Sequence, residues 1–352
     1  MISEAVLEQG VARGIISNQQ ATDLQVLARE MDATTAPEPE DDEKLRFITG
    51  FSDIFVTMGL ALFTGALAYL TGQWDTEAMW TILAIAAWLL AEFFTRRRRM
   101  ALPSIALLAL YAVSVLGAAN LFLTWAFGAP NEFGASRLLG SMSPGVLTGT
   151  ALTTAALTAL HYRRFRVPIT IAAGTAALAL AAVGILASIS PEWALRYSKV
   201  ITLLLGLAVF ALAMRFDLSD PERVTRRTDI AFWLHLLAAP MIVHPLIAQL
   251  SEGAEIAAVA PAILAVFLAL GIVAVVIDRR AMLVSGLAYA GYALASLFQR
   301  VGFTDYTTPL TVLALGAFVL LLSAGWRPVR AAFLRLLPAH LAHRLPHPIL
   351  SS

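Results

Sequence analysis

The sequence contains no cysteine, and only 14% of its 352 residues are charged. The lack of cysteine excludes disulfides, thiolate metal sites and thiol nucleophiles together. The phosphate-binding pattern G-x-x-x-x-G-K-[ST], the zinc-protease pattern H-E-x-x-H and the hydrolase pattern G-x-S-x-G are absent as well. We therefore predict a protein that is not an enzyme and that has no cofactor, no catalytic residue, no metal site and no nucleic-acid partner.

Apolar residues are abundant, at 59% of the chain with a mean hydropathy of +0.74. One soluble core cannot bury that much apolar surface. The apolar residues form ten segments near the length of about 20 residues that a helix needs to cross a bilayer. They lack the period-two alternation of barrel strands, so we predict an all-α polytopic membrane bundle with ten transmembrane helices. The segments are 51–71, 78–95, 101–127, 144–160, 167–188, 199–215, 230–250, 257–277, 281–299 and 308–326.

The basic residues are distributed unevenly among the connections between these segments. The two termini and four alternate connections hold 21 of the 25 basic residues. Because connections rich in arginine and lysine stay in the cytoplasm, both termini are predicted to be cytoplasmic and the number of spans to be even. The strong preference for arginine over lysine, together with the Ala-rich segments, indicates a GC-rich bacterial genome. We therefore predict a multi-pass protein of the bacterial inner membrane.

The chain divides into four predicted regions. Residues 1–34 form a cytoplasmic helical hairpin, residues 35–46 an acidic linker, residues 47–326 the transmembrane domain and residues 327–352 a basic amphipathic cytoplasmic tail. In the hairpin, Gly14 ends a first helix, and Ser17 with Gln20 forms a capping box that starts a second one. A hairpin of this size is too small to bury a core alone. It is therefore predicted to dock on a protein partner, on another copy of the chain or on the membrane body.

Two stretches carry a resemblance to known proteins. "GIISNQQATDL" ahead of a multi-span body resembles the short cytoplasmic helical pair that opens several families of predicted bacterial membrane proteins of unknown function. "SDPERVTRRTDIAFWLHLLAAPMIVHP" is similar to a stretch of such proteins. The resemblance covers the head and one span, and it implies a class of membrane protein without implying any chemistry.

Acidic residues enter the predicted spans only near their ends. Asp53 lies about one turn into the first span, Asp229 begins the seventh beside cytoplasmic arginines, and Asp278 lies beside two more. Glu92 and Arg96 have the i, i+4 spacing of an ion pair that reaches the interface. A proton or ion relay more often places acids near the middle of the bilayer. Structural anchoring is therefore the favoured interpretation for these acids, with Asp53 as the strongest candidate for a functional group.

The seventh segment holds two histidines and two prolines. Pro240 and Pro245 each free a backbone carbonyl, so the helix is predicted to bend between them. His244 is predicted to donate to one of these carbonyls, and His235 to face the bundle and bond a neighbouring helix. The two histidines lie on opposite sides of a continuous helix, so they cannot share a metal ion. The alternative is a solute or proton site that uses one of the histidines.

The arginine clusters at the cytoplasmic side are predicted to contact anionic lipid headgroups. Asp220 is predicted to cap a helix that begins at Pro221 and continues into the seventh span. In the tail, Arg330 and Arg335 form the polar face of a helix that lies along the inner leaflet. Prolines break the helix that would align the tail histidines, and no carboxylate or thiolate accompanies them, which argues against a metal site there. These are His340, His343 and His347.

Two functional classes fit this sequence. The first is a non-enzymatic scaffold or assembly factor with a cytoplasmic docking head. The second is a secondary transporter of a small solute, because ten spans split five plus five place the two halves in opposite orientations, as in inverted repeats. The two halves share composition but no sequence similarity. This favours the scaffold.

Overall fold

A computed structural model describes residues 7, 9, 11–34, 51–127, 143–220, 223 and 225–337 of the chain. Within these ranges the chain is helical and contains no β-strand. The chain divides into two compact units, Met1–Lys44 and Leu45–Ser352.

The first unit contains helix α1 (Asn18–Thr34). The Ser17 backbone N–H donates to Gln20 Oε1 at 2.9 Å, and the Gln20 N–H donates to Ser17 Oγ at 3.2 Å, which confirms the predicted capping box. Gly14, with φ at +66°, ends the preceding helical turn, as predicted. Ile15, Leu24 and Val26 expose their apolar side chains. This unit therefore presents apolar surface beside its cap.

The second unit is a series of long helices joined by short turns. Nine helices in the described ranges are long and apolar enough to cross a membrane. The helices are α2 (Phe51–Gly72), α3 (Thr76–Ala91, continued as a π-helix over Glu92–Arg97), α4 (Ala101–Ala126), α5 (Pro144–Phe165), α6 (Ile169–Ile189), α7 (Pro191–Arg196), α8 (Ser198–Leu218), α9 (Arg226–Leu250), α10 (Ile256–Ile277), α11 (Ala281–Arg300), α12 (Thr307–Ala324) and α13 (Trp326–Leu336).

All ten predicted apolar segments are therefore helical, but α5 is not among the nine. Its 22 residues match the others in length. Its threonines and the final His161–Phe165 segment make it less apolar than its neighbours. The helix also continues past residue 160, where the sequence predicted a loop.

The body is organised as helical hairpins packed in series. Sequence neighbours pair as α3 with α4, α5 with α6, α8 with α9, and α10 with α11. The helices α2, α4, α6, α9 and α11 then contact one another in that order. Close approach depends on small residues: a Cβ atom at Gly206 of α8 would lie 2.9 Å from the backbone carbonyl carbon of Met241 in α9.

Helix α9 has the largest buried share of any span in the described ranges. Its buried apolar face packs on α8 and α6. It is one continuous helix that contains Pro240 and Pro245, and the bend between them stays a prediction.

The start of α9 differs from the prediction. The helix begins at Arg226 with Thr225 as its N-cap, whose Oγ1 accepts from the Arg227 N–H at 3.2 Å. Asp220 instead accepts from the Thr225 N–H at 2.9 Å, and Arg223 has a positive φ that is incompatible with a continuing helix. Pro221 and Glu222, which were predicted to form the first turn, lie outside the described residues.

Helix α13 is amphipathic, as predicted, but its orientation is not the one expected. Arg330 is buried, whereas the sequence placed it on the polar face. The reason is an acidic residue of the body, Asp278, whose carboxylate lies 3.9 Å from Arg330 Nη1. The tail histidines lie outside the described residues.

Candidate functional site

Charged side chains from four segments meet where α8 ends and α9 begins. We call this group the charge network; it comprises Asp217, Asp220, Arg223, His235, Asp278, Arg279 and Arg330. The segments are the end of α8 with the connection that follows it, helix α9, the turn between α10 and α11, and α13.

Asp217 is the centre of the network's first half. Its carboxylate accepts two hydrogen bonds from the Arg279 guanidinium, with Nε 3.1 Å from Oδ2 and Nη2 bonded to Oδ1. His235 Nε2 lies 2.8 Å from Asp217 Oδ2. All three side chains are at most 1% exposed. Since an ionised carboxylate only accepts, His235 Nε2 carries the proton of this hydrogen bond.

Asp278 is the centre of the second half. Arg223 Nη1 donates to its Oδ2 at 2.8 Å, and Trp326 Nε1 donates to its Oδ1 at 2.6 Å. Arg330 Nη1 lies 3.9 Å from the same Oδ2. Burial raises the pKa of Asp278, but the arginines and the Trp326 hydrogen bond outweigh burial and hold the pKa below its ordinary value. Asp278 is therefore a carboxylate at physiological pH.

Asp220 joins the network to the start of α9. Its Oδ2 accepts from Thr225 Oγ1 at 2.6 Å and from Thr228 Oγ1 at 3.0 Å. Three aspartates and three arginines thus balance one another when His235 is neutral. Burial of single charges is costly, so this balance is what allows six charged groups to lie together out of water.

The network also explains unusual backbone geometry. In the described ranges, four residues other than glycine have a positive φ: Arg99, Arg166, Arg223 and Asp278. Such a conformation costs about 1–2 kcal/mol for a residue with a Cβ atom and persists only where the surroundings impose it. Arg223 and Asp278 are bonded to each other, so their ion pair opposes the strain of both residues.

A second feature, which we call the arginine cavity, lies between the first turns of α4, α6 and α9 and the ends of α3 and α5. Its volume is about 530 Å³. Five arginines, one aspartate, Thr95 and Ser104 line it, and apolar residues form the rest of its wall. The charged residues are Arg96, Arg99, Arg164, Arg166, Arg226 and Asp229.

Arg96 and Arg164 are held at the cavity by Glu92. Arg164 makes a bidentate pair, with Nε 2.6 Å from Glu92 Oε1 and Nη2 2.9 Å from Oε2. Arg96 Nη1 lies 3.3 Å from Oε2, which confirms the predicted pair. The interaction with Arg164, 72 residues away in sequence, had no local signal.

A smaller cavity of about 430 Å³ surrounds Asp53 at the start of α2. Arg98 and Arg99 line it with Phe93 and Phe94. Asp53 is 1% exposed and therefore faces the bundle, not lipid.

The histidines of α9 have different surroundings. His235 is buried and bonds the neighbouring helix α8, as predicted. His244 is exposed, and its Nδ1 lies 2.5 Å from the Tyr289 hydroxyl of α11. The prediction that His244 donates to a carbonyl freed by a proline is therefore wrong, because a tyrosine on the adjacent helix is its partner.

A third histidine lies just beyond the predicted segment 144–160 but is buried in α5. His161 lies among the rings of Trp88, Tyr111 and Phe165, with centroids 5.8, 5.1 and 4.5 Å away. Neither of its ring nitrogens has a hydrogen bond within the described part of the chain. A buried polar group without a hydrogen bond lowers the free energy of unfolding by about 1–3 kcal/mol relative to one that is hydrogen bonded.

Of the residues singled out from the sequence, Asp229 lines the arginine cavity and His235 belongs to the charge network. Asp217, Arg279 and Arg330 were missed as partners. Asp217 is 62 residues from Arg279 in sequence, so no spacing rule connects them. The one feature of the sequence that marks Asp217 is that it is an acidic residue just after the predicted apolar segment 199–215.

No protein-family model, curated protein or solved structure matches the chain.

Proposed function

We propose that the chain is a non-enzymatic multi-pass protein of the bacterial inner membrane that acts as a scaffold or assembly factor. Residues 1–34 serve as its cytoplasmic docking head. The observation that carries the proposal is the charge network, which ties α8, α9, the α10–α11 turn and α13 to one another through buried ion pairs.

A buried, charge-balanced network favours one arrangement of the segments that contribute to it. Separating Asp217 from Arg279, or Asp278 from Arg223, would leave unpaired charges out of water, at a cost of several kcal/mol. The segments that contribute to the charge network are therefore held in a fixed geometry. A surface with a fixed geometry suits a platform on which other proteins assemble.

In this proposal all ten apolar helices cross the membrane, α5 included, and both termini are cytoplasmic. The arginine-rich ends of α3 and α5, the start of α9 and the α10–α11 turn then lie on one side, as the positive-inside rule requires.

The absence of cysteine makes this topology directly testable. Single cysteines are introduced at exposed positions, and whole cells are treated with a membrane-impermeant maleimide. Gln73→Cys, Glu192→Cys and Asp305→Cys are expected to react from the periplasm. Arg97→Cys, Arg163→Cys and Arg335→Cys are expected to react only after the membrane is opened. Labelling of Arg97→Cys and Arg163→Cys in intact cells would contradict the topology.

The docking role predicts a specific loss of function in the head. In a strain that depends on the chain, the double variant Ile15→Glu/Leu24→Glu should fail to restore growth, because charge replaces exposed apolar contact surface. Its abundance in the membrane should equal that of the wild type. Growth and abundance are measured together.

The matched control is Gln19→Glu/Thr22→Glu, which adds the same charge at exposed polar positions of the same unit. It should restore growth fully. Full growth with the Ile15→Glu/Leu24→Glu variant would refute the docking head. Counterflow of a solute by the purified chain in vesicles would refute the scaffold and favour a transporter.

A further inference from the structure

We propose that the arginine cavity binds a phosphate-bearing anion. The recognised chemistry is a phosphate group, supplied either by an anionic lipid headgroup or by a soluble phosphate compound. The inference concerns a ligand site and is independent of the scaffold role.

The first argument is the positive charge of arginine side chains that have no ion pair in the described part of the chain. Arg99, Arg166 and Arg226 come from three different segments and line one cavity. Their side chains form no ion pair or hydrogen bond with the part of the chain that the structure describes. Guanidinium groups match the geometry of phosphate oxygens and bind them in bidentate fashion. Asp229 is the one acidic residue among those that line the cavity, so the arginines leave an excess of positive charge that is expected to attract an anion.

The second argument is the position of helix ends. Met100, Ala101 and Ser104 place the first turn of α4 at the cavity, and Pro168 and Ile169 place the first turn of α6 there. The N-cap residues Met100 and Pro168 have no side chain that accepts a hydrogen bond from a first-turn N–H group. The N-terminus of a helix carries partial positive charge and donor N–H groups, so both ends add to the attraction of the arginines.

The third argument is the shape of the cavity. A volume of about 530 Å³ falls in the range of small-molecule sites. Ile105, Ile169 and Trp233 form an apolar wall next to the arginines. Thr95 adds a hydroxyl oxygen that is buried and has no hydrogen-bond partner among the residues that the structure describes. Basic pockets between membrane helices on the cytoplasmic side bind phosphorylated headgroups in this way.

Backbone geometry supports the assignment. Arg166, at the end of α5, has φ at +54°, and Arg99 has φ at +55°. Glycine or asparagine is the usual residue for this conformation after a helix. Two strained arginines lining one cavity indicate that their guanidinium groups are needed there.

The experiment uses the purified full chain in a neutral detergent. Native mass spectrometry measures binding of phosphatidylglycerol against phosphatidylcholine. In parallel, inorganic pyrophosphate is titrated while the midpoint of thermal unfolding is followed, with sodium chloride at matched ionic strength as reference. The variants are Arg166→Gln and Arg226→Gln, and the control is Arg163→Gln, an exposed arginine near the end of the same helix α5 that does not line the cavity.

The wild type should bind at least one probe selectively and with saturation. Each cavity variant should weaken that binding about tenfold, the value of one lost charge-assisted contact, whereas Arg163→Gln should leave it unchanged. Selective phosphatidylglycerol binding identifies the lipid source, and a pyrophosphate-dependent shift identifies the soluble one. The proposal is overturned if neither probe binds selectively, or if Arg163→Gln weakens binding as much as the cavity variants do.

Arg166→Gly is a second variant that separates binding from folding. Glycine accepts the positive φ, so this variant should unfold at the same temperature as the wild type or higher, and yet bind the probe about tenfold more weakly. Undiminished binding by Arg166→Gly would also overturn the proposal.

Discussion

Asp217→Asn is expected to lower the free energy of unfolding of the membrane body by about 3–5 kcal/mol. The substitution keeps the size of the side chain but leaves the buried Arg279 guanidinium without its carboxylate partner. Arg279→Gln should be similarly harmful, because Asp217 then retains only its hydrogen bond with His235. The measurement is the fraction of protein that stays monodisperse in detergent after heating, calibrated by reversible unfolding in SDS.

The double variant Asp217→Asn/Arg279→Gln should recover a large part of the loss. It removes both charges and leaves an amide pair that hydrogen bonds in nearly the same place, so no unpaired charge remains. The double-mutant cycle should then give an interaction free energy above about 1.5 kcal/mol. Additive losses, or a stable Asp217→Asn protein, would show that the two residues do not act as a buried ion pair.

Gly184→Ala is expected to cost about 1–3 kcal/mol, although alanine is the better helix former. A Cβ atom at Gly184 of α6 would lie 2.5 Å from Thr148 Oγ1 and 3.0 Å from the Thr148 backbone nitrogen in α5. Backbone atoms cannot move aside as the end of a flexible side chain does. The two helices must therefore separate, and their shared small-residue interface is lost. Thermal unfolding in detergent measures the effect.

Gly59→Ala is the matched control, since a Cβ atom there has no neighbour within 4 Å. It should be neutral or stabilising by up to about 1 kcal/mol. Adding Thr148→Ala to Gly184→Ala should restore part of the stability, because the hydroxyl contact is relieved while the backbone contact remains. If Gly184→Ala is as stable as Gly59→Ala, the close approach of α5 and α6 is incorrect.

Much of the helical architecture follows from the sequence because lipid imposes a simple rule. Segments of about 20 apolar residues must be helical, and all ten such segments are helices. Local signals worked equally well at the capping box of Ser17 and Gln20, where the partners are three residues apart. Helix ends were less predictable. Helix α5 continues past its expected end because His161 packs against aromatic side chains of α3 and α4 and is not in contact with water.

The candidate sites were only partly predictable, because their residues converge from distant segments. Asp229 and His235 drew attention as polar residues in an apolar run. Their roles depend on Asp217, Arg166 and Arg279, which carry no local pattern that relates them. Arg330 shows the same limit: its position on α13 reads as a polar face, and only the tertiary fold brings it to Asp278.

The order of the hairpins along the chain has a consequence for biosynthesis. Each hairpin contacts the one made just before it, so most of the body can assemble while the ribosome is still translating. The charge network is different, because Arg330 lies in the last described helix and is therefore made late. Until α13 emerges, Asp278 lacks both Trp326 and Arg330. A chain cut short before this helix would carry an incompletely neutralised acid in its interior, a state that quality-control proteases recognise by its ease of unfolding.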